Sequence, residues 1–213
     1  MKYQSIAFTA ALCISAPAAA EPHLVLRLIA DEHVIAPGDS VHWQLWAELI
    51  EPESEIVATV VDISFSLTFG GDQSISITEN DFSSAFDSLI FGPADDGIVD
   101  GDTISGAFGV NVIPPINDPG GPDSSNPLFI YGFTMVHDGS IGEGIYQPEL
   151  TIESQLTGAY ASLPFPDYFF YRHRDGTSDV PFVVIADTVY NIPTPATGTL
   201  ALLGLSALRR RSR

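Results

Sequence analysis

The densest run of potential ligands is Asp95-Asp96-Gly97-Ile98-Val99-Asp100-Gly101-Asp102, with four carboxylates and two glycines in eight residues. Calcium takes about six to eight oxygens at roughly 2.3–2.6 Å, and a glycine-bearing loop can curl to offer several of them. Asp95, Asp96, Asp100 and Asp102 are therefore the candidate metal ligands, and Ca2+ the candidate ion. The spacing lacks the alternating ligands and closing glutamate of an EF-hand, so a plain solvated acidic turn would carry the same residues. Asn117-Asp118-Pro119-Gly120-Gly121-Pro122-Asp123 is a weaker version of the same composition, and its prolines favour a surface loop. A second kind of chemistry is offered by Tyr168, Phe169, Phe170, Tyr171, His173 and Arg174, which mix aromatic rings with positive charge. Exposed rings can stack on sugars while polar groups hold hydroxyls, so Trp46, Tyr168 and Tyr171 are the candidate carbohydrate contacts, and an envelope or matrix polysaccharide the candidate ligand. The alternative is that Phe169 and Tyr171 face the core of a short strand.

Catalytic constellations are thin. His23, His33, His42, His137 and His173 have no metal-ligand spacing, no Gly-x-Ser-x-Gly elbow occurs, and no phosphate-binding glycine loop opens a helix. His173-Arg174-Asp175 matches a kinase catalytic loop only as a tripeptide, without the other kinase elements. Paired carboxylates for glycoside hydrolysis need a separation of roughly 5–10 Å, which a sequence does not display. The leading expectation is a non-enzymatic structural or adhesive surface protein. A carbohydrate-binding module is the first alternative, and a small extracellular glycoside hydrolase the second.

The elements that must position these residues are strands. Leu24 to Ile29 is an apolar run, and Ala36-Pro37-Gly38-Asp39 places Pro and Gly where a tight reversal wants them. Val41, Trp43, Leu45, Ala47 and Leu49 then alternate with polar neighbours, leaving Trp46 on the wet face. After the acidic loop Glu51 to Glu55, Val61, Ile63, Phe65, Leu67 and Phe69 point one way and Asp62, Ser64, Ser66 and Thr68 the other, until Gly70-Gly71-Asp72 ends the run. A slip of one residue would put five large apolar side chains in water, so register is strongly specified. Ser74 to Thr78 is a short strand, and Asn80 to Phe91 a loop or brief helical turn capped by Asn80 or Asp81. Ile104 to Val112 and Leu128 to Val136 read as strands around the loop Pro114 to Pro127. Tyr146 to Glu153 is expected to pair with Gln155 to Leu163, and Pro181 to Tyr190 forms the last strand. No amphipathic helix is evident. Short strands with Gly/Pro turns in one domain of this size give an all-β fold, an antiparallel β-sandwich.

Both ends are of another kind. Residues 1–20 carry Lys2, an apolar region from Ile6 to Ile14 and the small-residue run Ala16-Pro17-Ala18-Ala19-Ala20, which reads as a secretory signal peptide cut before Glu21. Cys13, the single cysteine, falls in that segment, so the mature chain relies on its core without a disulfide. All 27 acidic residues lie between Glu21 and Asp187 against Arg27, Arg172 and Arg174, a net charge of −24 for residues 21–192. Such a surface repels phosphate backbones and argues against nucleic acid as a partner. At the other end come Pro193-Thr194-Pro195, an apolar run from Leu200 to Leu208, and Arg209, Arg210, Arg211 and Arg213. The run is well short of the roughly 20 residues that span a bilayer, and the arginines stay on the cytoplasmic side under the positive-inside bias, so the tail suits transient membrane contact.

This order of proline motif, apolar stretch and arginine cluster over residues 193–213 resembles the PEP-CTERM sorting tail of bacterial envelope and secreted proteins. The resemblance implies export and handling by an exosortase-type membrane enzyme, hence a secreted, cell-surface or extracellular-matrix location. Thr194 stands where the family has glutamate, which implies a related sorting specificity. Within residues 21–192, the pattern Val34-Ile35-Ala36-Pro37-Gly38-Asp39-Ser40-Val41 followed by core strands resembles the opening of cohesin-like and related Ig-like bacterial surface sandwiches. That resemblance implies architecture and carries no dockerin partner.

Overall fold

A computed structural model describes residues 23–50, 55–87, 91–111, 123–140, 144–161, 168–174, 177–178 and 181–192. Its strands are β1 (His23–Ala30), β2 (Val34–Ile35), β3 (Ser40–Ile50), β4 (Glu55–Thr68), β5 (Ile75–Phe82), β6 (Ile98–Asp100), β7 (Thr103–Val110), β8 (Leu128–His137), β9 (Gly144–Tyr146), β10 (Glu149–Ala161), β11 (Tyr168–Arg174), β12 (Thr177–Ser178), β13 (Phe182–Ala186) and β14 (Val189–Asn191). One 3-10 turn, Ser84–Phe86, is the helical element among the described residues. No helix there is long and apolar enough to cross a membrane.

The strands form a five-stranded sheet, β13-β1-β3-β8-β5, a six-stranded sheet, β12-β11-β10-β4-β7-β6, and a small sheet, β2-β14-β9. The two large sheets make a β-sandwich. Pairing is antiparallel except between β1 and β13 and between β14 and β2. The reversal into β3 is the expected one: Asp39 N–H donates to the Ala36 carbonyl at 3.1 Å, with Gly38 at φ 91°, where only glycine sits without strain.

Alternation decides which side chains fill the sandwich. Along β3, Val41, Trp43, Leu45, Ala47 and Leu49 are buried and their neighbours are not. Rings from both sheets interlock in the middle: Phe65 of β4 meets Tyr131 of β8 edge-on at 5.1 Å, Tyr131 meets Phe82 at 4.9 Å, and Trp43 stacks on Phe133 at 6.2 Å. Buried aromatic and aliphatic side chains of this kind contribute about 1.5–3 kcal/mol each, which is how a domain without disulfides holds together.

Four local expectations give way to tertiary structure. Val60, not Val61, lies in the core, because β4 and β10 are out of step there. Asn80 and Asp81 are strand residues of β5; the helical turn follows them, and Ser83 caps it by accepting from Ala85 N–H. Glu149–Ala161 is one long strand pairing with β4 and β11, so the expected hairpin of Tyr146–Glu153 with Gln155–Leu163 does not form. The last apolar stretch splits into β13 and β14, which join different sheets. In each case a long-range partner outweighs the local pattern.

Candidate functional site

The flat outer face of the six-stranded sheet is interrupted where β4, β10 and β11 meet. Between the pairs Phe65↔Ile152 and Ile63↔Leu156, three residues of β10 (Glu153, Ser154 and Gln155) oppose Ser64 alone. Between Asp62↔Thr157 and Ala58↔Ala159, three residues of β4 (Thr59, Val60 and Val61) oppose Gly158 alone. Extra residues in a strand re-aim side chains and bend the ladder. Two such irregularities back to back turn Val61 outward, bring Gln155 beside it, and open a pocket of about 260 Å³. Thr157, Asp62, Phe170, Arg172 and His173 complete its wall.

Each wall residue has a structural cause. Thr157 pairs with Asp62 on one side and Arg172 on the other, so a carboxylate and a guanidinium flank one hydroxyl across three neighbouring strands. Alternation along β11 sends Tyr171 inward and leaves Phe170 and Arg172 outside. The Arg172 guanidinium lies 5.6 Å from the centre of the Phe170 ring, a cation–π contact that fixes both. His173 is held edge-on against Phe182 of the opposite sheet, with ring centres 4.8 Å apart. Beneath the pocket, buried Tyr171 packs over Gly158 and its hydroxyl donates to the Thr59 carbonyl. Asn111 secures the other side of the irregular stretch, donating to the Val60 carbonyl and to the Asp123 carbonyl at 3.0 Å each. A phenyl face, a guanidinium, a carboxylate, an amide and a hydroxyl around one concavity can grip a polar, ring-shaped ligand of sugar size. Among the described residues lining it Asp62 is the sole carboxylate, whereas glycoside hydrolysis uses two.

The sequence-predicted sugar contacts are not brought together. Tyr171 is buried in the core, because alternation and its hydroxyl bond hold it inside. Trp46 belongs to β3 of the five-stranded sheet, half-buried against Phe129 at 5.3 Å, with its indole N–H donating to Gln44 Oε1 at 3.1 Å. Tyr168 begins β11 in the other sheet, opposite Ala161, so Trp46 and Tyr168 do not share a sheet. Phe170 and His173 belong to the aromatic cluster named from the sequence, whereas Arg172 was missed; the outward places of Phe170 and Arg172 were legible as the parity of β11 once Tyr171 is placed inside. Gln155, Val61 and Asp62 were not, since bulges leave no local signal here.

The acidic segment is likewise divided. Asp95 Oδ1 accepts from Gly97 N–H at 3.0 Å, and Asp95 exchanges two backbone bonds with Phe108 at 2.8 Å. Asp96 Oδ1 accepts from Phe82 N–H at 3.0 Å, while the Asp96 carbonyl receives the Tyr131 hydroxyl at 2.6 Å and the Asn80 amide at 2.9 Å, tying this segment to the opposite sheet. Burial, with Asp96, Asp81 and Asp95 nearby, pushes the Tyr131 phenol well above its ordinary value. Asp100 ends β6, exposed. Asp102 is buried in the two-residue turn between β6 and β7, where Oδ2 accepts Gly71 N–H at 2.7 Å and Asp72 N–H at 2.9 Å. Among the described residues no three His, Cys, Asp or Glu side chains are grouped so as to hold a metal ion. The Gly101-Asp102 dipeptide, with Gly101 at φ 59° in the first loop position, was the available hairpin signal. Pro193, Thr194, Pro195 and Arg209 to Arg211, the signal segment and most of the Asn117–Asp123 loop lie outside the described residues.

No family model matches the sequence. No curated protein matches it either. Among solved structures, the fold is similar to the seventh ScaB type I cohesin of Pseudobacteroides cellulosolvens, with TM-score 0.50 and 10% identity over 81% of this chain and 95% of that one. A non-cellulosomal cohesin of Archaeoglobus fulgidus follows at TM-score 0.44 and 13% identity, covering 84% of this chain and 97% of that one. An OlpC cohesin of Clostridium thermocellum, solved with a dockerin, gives 0.46 and 10%, covering 84% and 99%. At such identities the first similarity establishes the β-sandwich of cohesins as the fold of this chain and nothing about its partners.

Proposed function

We propose that this chain is an exported, non-enzymatic structural or adhesive protein of a bacterial surface or matrix, its cohesin-fold body acting as a contact module and its tail as the sorting signal. The observation that carries this reading is where the proline motif falls along the chain. β14 ends at Asn191, and Ile192 N–H makes a last backbone bond to Ile35 at 2.9 Å, directly before Pro193-Thr194-Pro195. Cleavage by a membrane enzyme of the exosortase type beyond Ile192 would therefore leave every described strand paired. The short apolar run gives it transient membrane contact, and the strongly acidic body stays in solution. The test is intact mass and N-terminal sequence of the protein recovered from a bacterium with such an enzyme and from one without. The expected product starts at Glu21 and has lost its arginine cluster only in the first host, while Arg209→Gln, Arg210→Gln and Arg211→Gln together leave it uncut. An uncut tail in both hosts, with the protein retained in the cytoplasm, overturns the reading.

A second reading, carbohydrate binding, is favoured by one observation, the pocket at the β4/β10 irregularity. Its contacts are Phe170, Arg172, Asp62, Gln155 and Thr157 in place of Trp46, Tyr168 and Tyr171. Calorimetric titration with a panel of matrix oligosaccharides tests it. Phe170→Ala and Arg172→Ala should each weaken binding at least tenfold, and Trp46→Ala should leave it within twofold. No heat with any saccharide, or equal loss with Trp46→Ala, removes it.

A further inference from the structure

The small sheet β2-β14-β9 has an unusual outer face. Its inward residues are ordinary: Ile35, Tyr146, Val189 and Asn191 are all buried. Outward positions of a half-buried sheet are normally polar. Here they are Val34 (57% exposed), Ile145 (70%), Tyr190 (47%) and Ile192 (56%). Register places them side by side, since Tyr190 of the central strand pairs with Val34 on one flank and Ile145 on the other. With Gly144 and Asn191 they line an open depression of about 590 Å³. A contiguous apolar face of this kind marks an interaction surface.

We infer that this face seats the chain's own tail, the apolar run Thr199–Leu208 lying across Val34, Tyr190 and Ile145. Connectivity gives the first reason. Ile192 is both the last described residue and a wall of the depression, and six residues, hence seven Cα-to-Cα steps, lead from it to Thr199. That length reaches about 23 Å when extended, against about 10 Å across three strands. Pro193, Pro195 and Gly198 supply the reversal. Charge is the second. Arg209, Arg210, Arg211 and Arg213 follow the run, whereas the body carries 27 acidic residues against three arginines, and exposed Asp31 and Glu32 lead into β2. The same charge disfavours a second copy of so acidic a chain, and anionic lipid. The other apolar stretch, Ile6–Ile14, enters at the far end: it precedes β1, whose eight residues put its start roughly 26 Å from the end that leads into β2. Docking shields the run in water and yields it when a membrane competes. It does not depend on the sorting reading, and the two fail separately.

Cross-linking of the full chain tests it. In a Cys13→Ser background, Ile145→Cys with Leu203→Cys should form an intramolecular disulfide under mild oxidation, read as faster non-reducing migration and a 2 Da mass loss, about tenfold faster than Ile98→Cys with Leu203→Cys. Adding Arg209→Glu, Arg210→Glu and Arg211→Glu should slow it severalfold. Equal rates for the two pairs, or disulfide-linked dimers in place of the intramolecular product, overturn the inference. A tail that is cut in cells but never cross-links to Ile145→Cys refutes docking and leaves sorting standing, and the converse result does the reverse.

Discussion

Asp102→Ala separates a carboxylate that holds a turn from one that holds an ion. Asp102 Oδ2 accepts two backbone N–H groups, from Gly71 at 2.7 Å and Asp72 at 2.9 Å, pinning the β4–β5 turn to the β6–β7 turn. Oδ1 accepts from Thr103 Oγ1 at 3.2 Å. Hydrogen bonds to a charged group contribute about 1.5–3 kcal/mol each. Gly71 and Asp72 are exposed, so water recovers part of that on truncation. The net cost should be about 2–3 kcal/mol, or about 5–10 °C in Tm for a domain of this size. Asp102→Asn keeps an acceptor without the charge and should lose about half as much. Thermal unfolding is measured in calcium and in chelator at matched ionic strength, because an ion bound only by the native state raises Tm by mass action. The expected loss is the same in both. A variant within about 0.5 kcal/mol of the parent in both conditions refutes the turn role. A loss confined to calcium shows that ion binding is what Asp102 does.

Val60→Asp should cost at least about 3 kcal/mol through an unpaired buried charge, while Val61→Asp should stay within about 1 kcal/mol, and urea unfolding that ranks them the other way removes the bulge. A Cβ on Gly158 would overlap the Tyr171 hydroxyl and the ring carbon that bears it, so Gly158→Ala should destabilise by more than about 2 kcal/mol. Combining it with Tyr171→Ala should be markedly less than additive, and simple additivity in a double-mutant cycle counts against that contact. Tyr131 and Tyr171 have phenols raised above 10.0 by burial, so they stay protonated in the fold while the unfolded chain ionises. Stability is therefore complete below about pH 10 and falls above it, by up to about 1.4 kcal/mol per pH unit for each tyrosine. Tyrosinate absorbance of Tyr131→Phe and Tyr171→Phe against the parent should assign to each phenol an ionisation that comes only with unfolding, and ionisation of either in a still-folded protein would contradict its burial.

The alternation of β3, with Val41, Trp43, Leu45, Ala47 and Leu49 facing inward, was legible in the sequence because a period of two needs no information beyond its own strand. The Pro37-Gly38 turn was legible for the same reason, and so was the all-β class. What the sequence left open is set by partners far along the chain. Val60 rather than Val61 is buried because β10 meets β4 out of step, and no residue of β4 announces that. Asp102 is engaged by a turn 30 residues earlier, Tyr171 by Thr59 across 112 residues, and the row Val34-Tyr190-Ile145 exists only after three distant segments pair. Side-chain type and local period are written in the chain; which carboxylate is consumed by backbone, which ring is buried and which apolar positions become neighbours are decided by register, and register is a property of the folded sheet.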